Sequence, residues 1–299
     1  MKKVGFVGLG IMGRPMAENL IKGGCSLLVY DVSKEAVAAL EQRGAKASTL
    51  AEIGKECEVI FTILPNGTIV KDVLFGEKGI ATTIKPGSTV ADLSSVTPAE
   101  SVYCAERLAK LSVGFIDAPV SGGEPKAIDG TLAFMAGGSS ESFEKILPYF
   151  NIMGSSALLI GGNGSGSVTK LANQIIVNMT IAAVSEAFVL ATKAGADPEK
   201  VYLAIRTGLA GSTVLDAKLP MILNRNFRPG GKIAINHKDI KNVLSTAHEL
   251  DVPLPLTAQL FEIMQSLKVR GLFNEDHSAI VKYFESVADI EVKKPMAAE

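Results

Sequence analysis

The sequence predicts an α/β protein in two parts: a doubly wound parallel-sheet domain, then an all-α domain joined to it by a long interdomain helix. Three observations carry this expectation. From residue 3 to about residue 160, short β-rich runs alternate with helical ones, which calls for crossover connections and a mostly parallel sheet. After Gly166 the pattern is helical throughout, with no convincing period-2 run. At the junction, Gly166-Ser-Val-Thr-Lys170-Leu-Ala-Asn173-Gln174 heads an apolar run to about Ala194, with no proline before Pro198. That run reads as one helix of roughly 28 residues, longer than the usual range of about 8 to 20.

Taken in order, strands are expected over residues 4–8, 26–30, 59–64, 89–93, 113–118, 131–136 and 157–160, with helices over 12–22 and 34–42. In the second half the breakers Gly195-Ala-Asp-Pro198, Gly208-Leu-Ala-Gly211, Arg228-Pro-Gly-Gly231 and Asp251-Val-Pro-Leu-Pro255 separate the helical stretches. The expected domains are residues 1–163 and 164–292, with 293–299 as a flexible tail.

Composition excludes several functions. The chain has 299 residues, a net charge of −1 and a pI near 6.4, so it lacks the electrostatic footprint of a nucleic-acid or anionic-membrane binder. Cys25, Cys57 and Cys104 form no CxxC pair and read as small apolar fillers in a reducing compartment. His237, His248 and His277 have no metal-ligand spacing, so no metal is expected. The glycines and Arg14 after the first strand break any signal-peptide or membrane-span pattern there, and the cytoplasm is the expected compartment.

Chemistry enters with Gly8-Leu-Gly10-Ile-Met-Gly13, which follows the first strand and opens the first helix. Glycines there allow a tight turn, close approach of a pyrophosphate and close helix–strand packing, while the helix start offers N–H groups to phosphate. Asp31 ends the second strand where an acid binds a ribose 2′-hydroxyl. Gly8, Gly10, Ile11, Met12, Gly13 and Asp31 are therefore expected to hold a dinucleotide. Asp31 favours NAD over NADP, with Lys34 the nearby cation for a 2′-phosphate and dual use open.

Leu64-Pro65-Asn66 and Leu93-Ser94-Ser95 follow strands, at the sheet edge where such folds bind ligands. Leu64, Pro65, Asn66 and Ser95 are the expected contacts, although Pro65-Asn66-Gly67 is also a good turn in its own right. Asp117-Ala-Pro-Val-Ser121-Gly122-Gly123 ends another strand, and a hydroxyl with adjacent N–H groups suits a carboxylate or oxyanion. Pro119 occupies the first glycine position of GxSxG, so a hydrolase elbow is excluded.

Lys170, Asn173 and Gln174 stand at i, i+3, i+4 and share one helical face. A lysine in a low-dielectric cleft suits general acid–base work, with Asn173 and Gln174 orienting it or holding substrate. By itself the same lysine also fits a solvated helix start. His237-Lys238-Asp239 opens another helical run, where Lys238 serves as a cofactor contact or as an ordinary solvated residue.

With Gly8 to Pro15 (GLGIMGRP), Asp117 to Gly123 (DAPVSGG), Gly164 to Asn173 (GSGSVTKLAN) and His237-Lys238-Asp239 in one order, the chain resembles the β-hydroxyacid dehydrogenases, from Val4 to about Tyr283. The resemblance implies a Rossmann domain for NAD(H) or NADP(H), Lys170 as catalytic acid/base and Ser121, Gly122 and Gly123 as substrate contacts. It also implies cofactor contacts from Leu64, Pro65 and Lys238, and a homodimer or homotetramer. The segments from Gly123 to Gly130 and from Arg206 to Lys218 are most similar to the branch of the family that reduces tartronate semialdehyde. Branches acting on 3-hydroxyisobutyrate or 2-(hydroxymethyl)glutarate are the nearer alternatives, and a non-catalytic dinucleotide-binding scaffold is the remoter one. Imine-reducing relatives typically replace the lysine, so its presence implies carbonyl chemistry. Two positions depart from the common pattern: Gln174 replaces a second asparagine, and Ser95 replaces a threonine.

Overall fold

The structure, a computed structural model, describes residues 3–294 and divides into two compact units, Met1–Lys170 and Leu171–Glu299. The first unit runs β1 (Lys3–Val7), α1 (Gly13–Lys22), β2 (Ser26–Tyr30), α2 (Lys34–Glu41), β3 (Lys46–Ala47), α3 (Leu50–Glu56) and β4 (Val59–Thr62). It continues through α4 (Gly67–Phe75), β5 (Thr89–Asp92), α5 (Pro98–Ala109), β6 (Gly114–Asp117), β7 (Val120–Ser121), α6 (Gly123–Asp129), β8 (Leu132–Gly138), α7 (Ser140–Met153) and β9 (Gly154–Gly161). The sheet order is β3-β2-β1-β4-β5-β6-β8-β7, with β9 on β8.

Strands β1 to β6 pair in parallel, as the crossover pattern requires. Successive side chains then enter opposite faces of the sheet. Leu27, Val29, Phe61, Ala91 and Ile116 pack in one core with Met16 and Leu20 of α1, while Leu28, Ile60, Val90 and Phe115 pack in the other with Val70 and Leu108. A strand buried on both faces reads as a continuous apolar run, and that is why these strands are visible in the sequence. Helix starts are chemically marked: Thr49 with Glu52, and Thr97 with Glu100, form capping boxes at α3 and α5.

The sheet departs from the parallel expectation at its far end. Strand β8 is antiparallel to β6 and to β7, and β9 then runs parallel to β8. Residues 118–121 turn the chain back, so Ser121 belongs to a two-residue strand rather than to an open loop.

Helix α8 (Ser165–Lys193) has 29 residues, and the boundary between the units falls within it, after Lys170. By length and composition it is apolar enough to cross a membrane, with a mean hydropathy of 1.8 in its best window. Leu171, Ile181, Ala182, Phe188 and Val189 nevertheless lie in the cores of the second unit. The rest of that unit is helical: α9 (Pro198–Ile205), α10 (Thr213–Leu223), α11 (Ile233–Glu249), α12 (Pro255–Val269) and α13 (Val281–Ala288). The expected breakers mark the joins between successive helices from α8 to α12, with Pro198 and Pro255 as the first residues of α9 and α12. Buried Asp276 closes the loop before α11 by accepting from Lys218, Gly230 N, Gly231 N and Ser278 N. The expected tail starts at residue 293, yet Lys294 N still donates to Leu223 O; residues 295–299 lie outside the described residues.

Candidate functional site

The glycine turn is shaped by contacts that only glycine tolerates. Gly8 has φ +98°, and a Cβ on it would stand 2.2 Å from Ile63 O. A Cβ on Gly13 would stand 2.0 Å from Gly8 O, so α1 starts as close to β1 as the backbone permits. Gly10, by contrast, has nothing within 4 Å of such a Cβ and faces open space. No side chain caps α1 and no acid stands in its first turn, which suits an anionic group at that end. Ile11 is exposed and Met12 half-buried beside this opening. Asp31 closes the turn from β2: its Oδ2 accepts from Leu9 N at 2.6 Å and its Oδ1 from Ser33 N at 2.8 Å. A concave turn with an acid on its rim fits a dinucleotide.

The next two turns are tied together. Ser94 Oγ accepts from Leu64 N at 2.8 Å and donates to Asp92 Oδ1, which also accepts from the Thr62 hydroxyl at 2.7 Å. Asp92 is fully buried, and its burial raises the carboxyl pKa. Ser94 and Asp92 thus set the positions of Leu64, Pro65 and Ser95. Asn66 caps α4, its side chain accepting from Ile69 N at 3.0 Å, and its remaining groups stand at the same edge.

Asp117 ends β6 as the register partner of Asp92 on β5. Its carboxylate reaches the start of α8, accepting from Gly164 N at 2.8 Å and Ser167 N at 2.9 Å. One turn further along α8, Lys170 Nζ donates to Val120 O at 2.8 Å. The lysine is therefore turned onto the backbone of the segment that carries Ser121, Gly122 and Gly123, rather than out into water. Gly122 has φ +136° and Gly123 φ +68°, conformations that side-chain-bearing residues rarely adopt. Burial pushes the Asp117 carboxyl up to about 6, against the pull of its N–H donors.

In the second unit, Gln174 is buried and its amide is engaged. Nε2 donates to Asp239 Oδ2 at 2.7 Å and Asn236 Oδ1 at 3.2 Å, while Oε1 accepts from Asn173 Nδ2 at 2.9 Å. The residue that departs from the family pattern thus bridges α8 to α11 and bonds the Asn173 amide. Lys238 Nζ lies 2.8 Å from Asp239 Oδ1. His237 stacks on Phe261 and bonds Gln265, and its burial lowers its pKa.

Sequence reasoning assigned no role to Asp92, Ser94, Asp117, Asn236 or Asp239, although Ser94, Asp117 and Asp239 stand inside motifs it singled out. The available signal was a carboxylate ending each of two apolar strands; the partners, 30 to 65 residues away, gave none. Among the described residues no His, Cys, Asp and Glu cluster suits a metal. The three cysteines are free, and burial drives the Cys57 and Cys104 thiols up to about 12, as expected of apolar fillers.

Residues 3–162 match the family described as the NAD binding domain of 6-phosphogluconate dehydrogenase. Residues 164–284 match the one described as NAD-binding of NADP-dependent 3-hydroxyisobutyrate dehydrogenase. The 2-hydroxy-3-oxopropionate reductase of Escherichia coli K12 is 40% identical across 96% of this chain and 98% of its own length. The 2-(hydroxymethyl)glutarate dehydrogenase of Eubacterium barkeri is 36% identical across 97% of each chain. The crystal structure of a 3-hydroxyisobutyrate dehydrogenase from Salmonella typhimurium superposes with a TM-score of 0.85 at 31% identity, over 94% of this chain and 99% of that one. The chain belongs to the NAD(P)-dependent 3-hydroxyacid dehydrogenases.

Proposed function

We propose that the protein reduces tartronate semialdehyde (2-hydroxy-3-oxopropanoate) to D-glycerate, reversibly, with Lys170 as general acid/base. The observation that carries the chemistry is the 2.8 Å contact from Lys170 Nζ to Val120 O, which holds an amine beside Ser121. The choice of substrate rests on the segments from Gly123 to Gly130 and from Arg206 to Lys218, and on the 40% identity to a 2-hydroxy-3-oxopropionate reductase.

Gly8, Gly10, Ile11, Met12, Gly13 and Asp31 would hold the dinucleotide, with Leu64, Pro65, Asn66, Ser95 and Lys238 as further contacts. When bound there, the reduced dinucleotide would supply the hydride that the aldehyde carbon takes up. The Ser121 hydroxyl and the Gly122 and Gly123 N–H groups receive the substrate carboxylate and fix its orientation. As the carbonyl oxygen gains negative charge, Lys170 donates a proton to it from its ammonium form; in the reverse direction the neutral amine removes the hydroxyl proton. Asn173, held by Gln174, orients the reacting oxygen. Asp31 on the turn favours NADH, because its charge opposes a 2′-phosphate.

We further propose that copies of the chain associate through α8. Ala172, Ile176, Ala183, Ala187 and Leu190 are exposed along it, with Glu186 as the charge between Ala183 and Leu190, Ile176 at 66% and Leu190 at 72%.

The test is NADH and NADPH oxidation with tartronate, methylmalonate and succinate semialdehydes, for the protein and for Lys170→Ala. Rapid turnover of the first substrate alone, abolished by the substitution while NADH still binds, is the expected result. Preference for another semialdehyde refutes the substrate, and an active Lys170→Ala refutes the acid/base.

A further inference from the structure

Asp117 does something that neither substrate nor cofactor recognition requires. It leaves the carboxyl end of β6, and its carboxylate takes the N–H groups of Gly164 and Ser167 at the start of α8. The fit around it is tight. A Cβ on Gly137 would stand 2.8 Å from Asp117 Oδ1, and one on Gly166 would stand 2.3 Å from Asp117 O. The chain on the other side of Asp117 is the Ala118–Val120 segment, whose Val120 O receives Lys170 Nζ. One side chain therefore fixes both ends of the Lys170 contact: the helix that carries the lysine and the strand end that carries its acceptor.

We propose that Asp117 is a positioning residue for the reaction, holding Lys170 in register with the Ser121–Gly123 segment through its two bonds to the first turn of α8. The proposal rests on Lys170 being the acid/base. The geometry has a direct consequence for an amide in place of the carboxylate. In Asp117→Asn the side chain has one acceptor oxygen for two converging N–H groups, and its own NH2 faces the second. The first turn of α8 then has to shift, and Lys170 Nζ with it. A misplacement of about 1 Å costs on the order of 100-fold in rate.

The carboxylate acts only while ionised, which adds a pH signature. Burial raises its pKa to about 6, and the charge that faces it is Asp92 on the next strand, itself flanked by Glu100 and Cys104 of α5. The first turn of α8 brings Ser165, Gly166 and Ser167 to it, and β8 brings Gly137 and Gly138; none of these titrates. Below about pH 6 the protonated acid resembles the amide, so kcat of the wild type declines there.

The experiment compares wild type, Asp117→Asn and Lys170→Ala on the substrate found in the panel above. The readouts are kcat against pH, NADH affinity, and the rate at which an amine reagent labels Lys170. Asp117→Asn is expected to lower kcat about 100-fold, to leave NADH affinity within about threefold, to abolish the acid limb near pH 6 and to speed labelling of Lys170. A purely structural role would move neither of the last two. If Asp117→Asn fails to fold, Ser167→Pro removes one donor within the first turn of α8, with Ser101→Ala controlling for the Ser101–Ser167 hydroxyl contact. Loss of kcat in Ser167→Pro but not in Ser101→Ala supports the proposal. Wild-type kcat in either Asp117→Asn or Ser167→Pro, or an unchanged acid limb in Asp117→Asn, overturns it. An active Lys170→Ala instead overturns the acid/base reading on which it stands.

Discussion

Gly10 and Gly13 belong to the same motif, yet the structure separates their jobs. Consider Gly13→Ala. The new Cβ stands 2.0 Å from Gly8 O and 2.8 Å from Ile63 Cγ2, whereas real Cβ contacts essentially never fall below 3.0 Å. The helix must therefore retreat from the β1 turn by about 1 Å, and the obstacle is backbone, which does not rotate away. Overpacking of this kind costs up to about 3 kcal/mol. Alanine returns up to about 1 kcal/mol through its helix propensity, so a net loss of about 2 kcal/mol remains. For a unit of this size that is a fall in Tm of about 4–8 °C. Gly10→Ala meets nothing within 4 Å and leaves the free protein as stable as before. Its methyl projects into the space assigned to the dinucleotide, and the NADH Kd rises by at least about tenfold, or 1.4 kcal/mol. Thermal melts of the ligand-free proteins and fluorescence titrations with NADH give both numbers. Equal Tm losses for the two variants, or unaltered NADH affinity in Gly10→Ala, would refute the separation.

Asp117 gives stability a pH dependence whose sign follows from its raised pKa of about 6. Between about pH 4 and pH 6 the folded chain holds a proton that the unfolded chain has lost, so stability declines as pH rises through that window, by about 3 kcal/mol from this group. Urea titrations across the range should show the decline in wild type and a shallower one in Asp117→Asn; parallel curves would contradict it. With the Cys57 and Cys104 thiols driven up to about 12 by burial, a maleimide at neutral pH labels at most Cys25 in the folded protein; rapid labelling of the other two would mean the core opens. Leu190→Asp and Ile176→Asp place charge on the exposed stripe of α8 and should move the sedimentation coefficient to that of a monomer, and an unchanged value would exclude that stripe from the contact.

The short-range part of the design was legible. Gly8, Gly10 and Gly13 lie within one turn, Asp31 follows a strand, and Lys170, Asn173 and Gln174 share a helical face by spacing alone. Strand positions were visible because β1, β2, β4, β5 and β6 are buried on both faces. Helices α3 to α7 are harder to read, being mixed in polarity and marked chiefly by their caps, such as Thr49 with Glu52. The antiparallel turn into β8 was hidden for another reason. Register is decided by which edge of the sheet is vacant, and no local residue reports that.

What escaped the sequence shares a physical character. Asp92, Ser94 and Asp117 are buried polar groups whose partners are other polar groups far along the chain: Leu64 N for Ser94, Thr62 for Asp92, and Gly164 N and Ser167 N for Asp117. A buried carboxylate without a cation is tolerable only when several donors converge on it. Such convergence constrains the donors as much as the acid. Both acids end neighbouring strands at the edge where a parallel sheet gathers its loops. The cost of burying them there buys fixed positions for the Leu64 turn, the Ser94 turn and the start of α8. Gln174 repeats the logic in the second unit, where one buried amide orders Asn173 against Asn236 and Asp239. The residues expected to meet a ligand stand in local motifs and spacings; those that hold them still are known only once the fold has brought distant donors to one carboxylate.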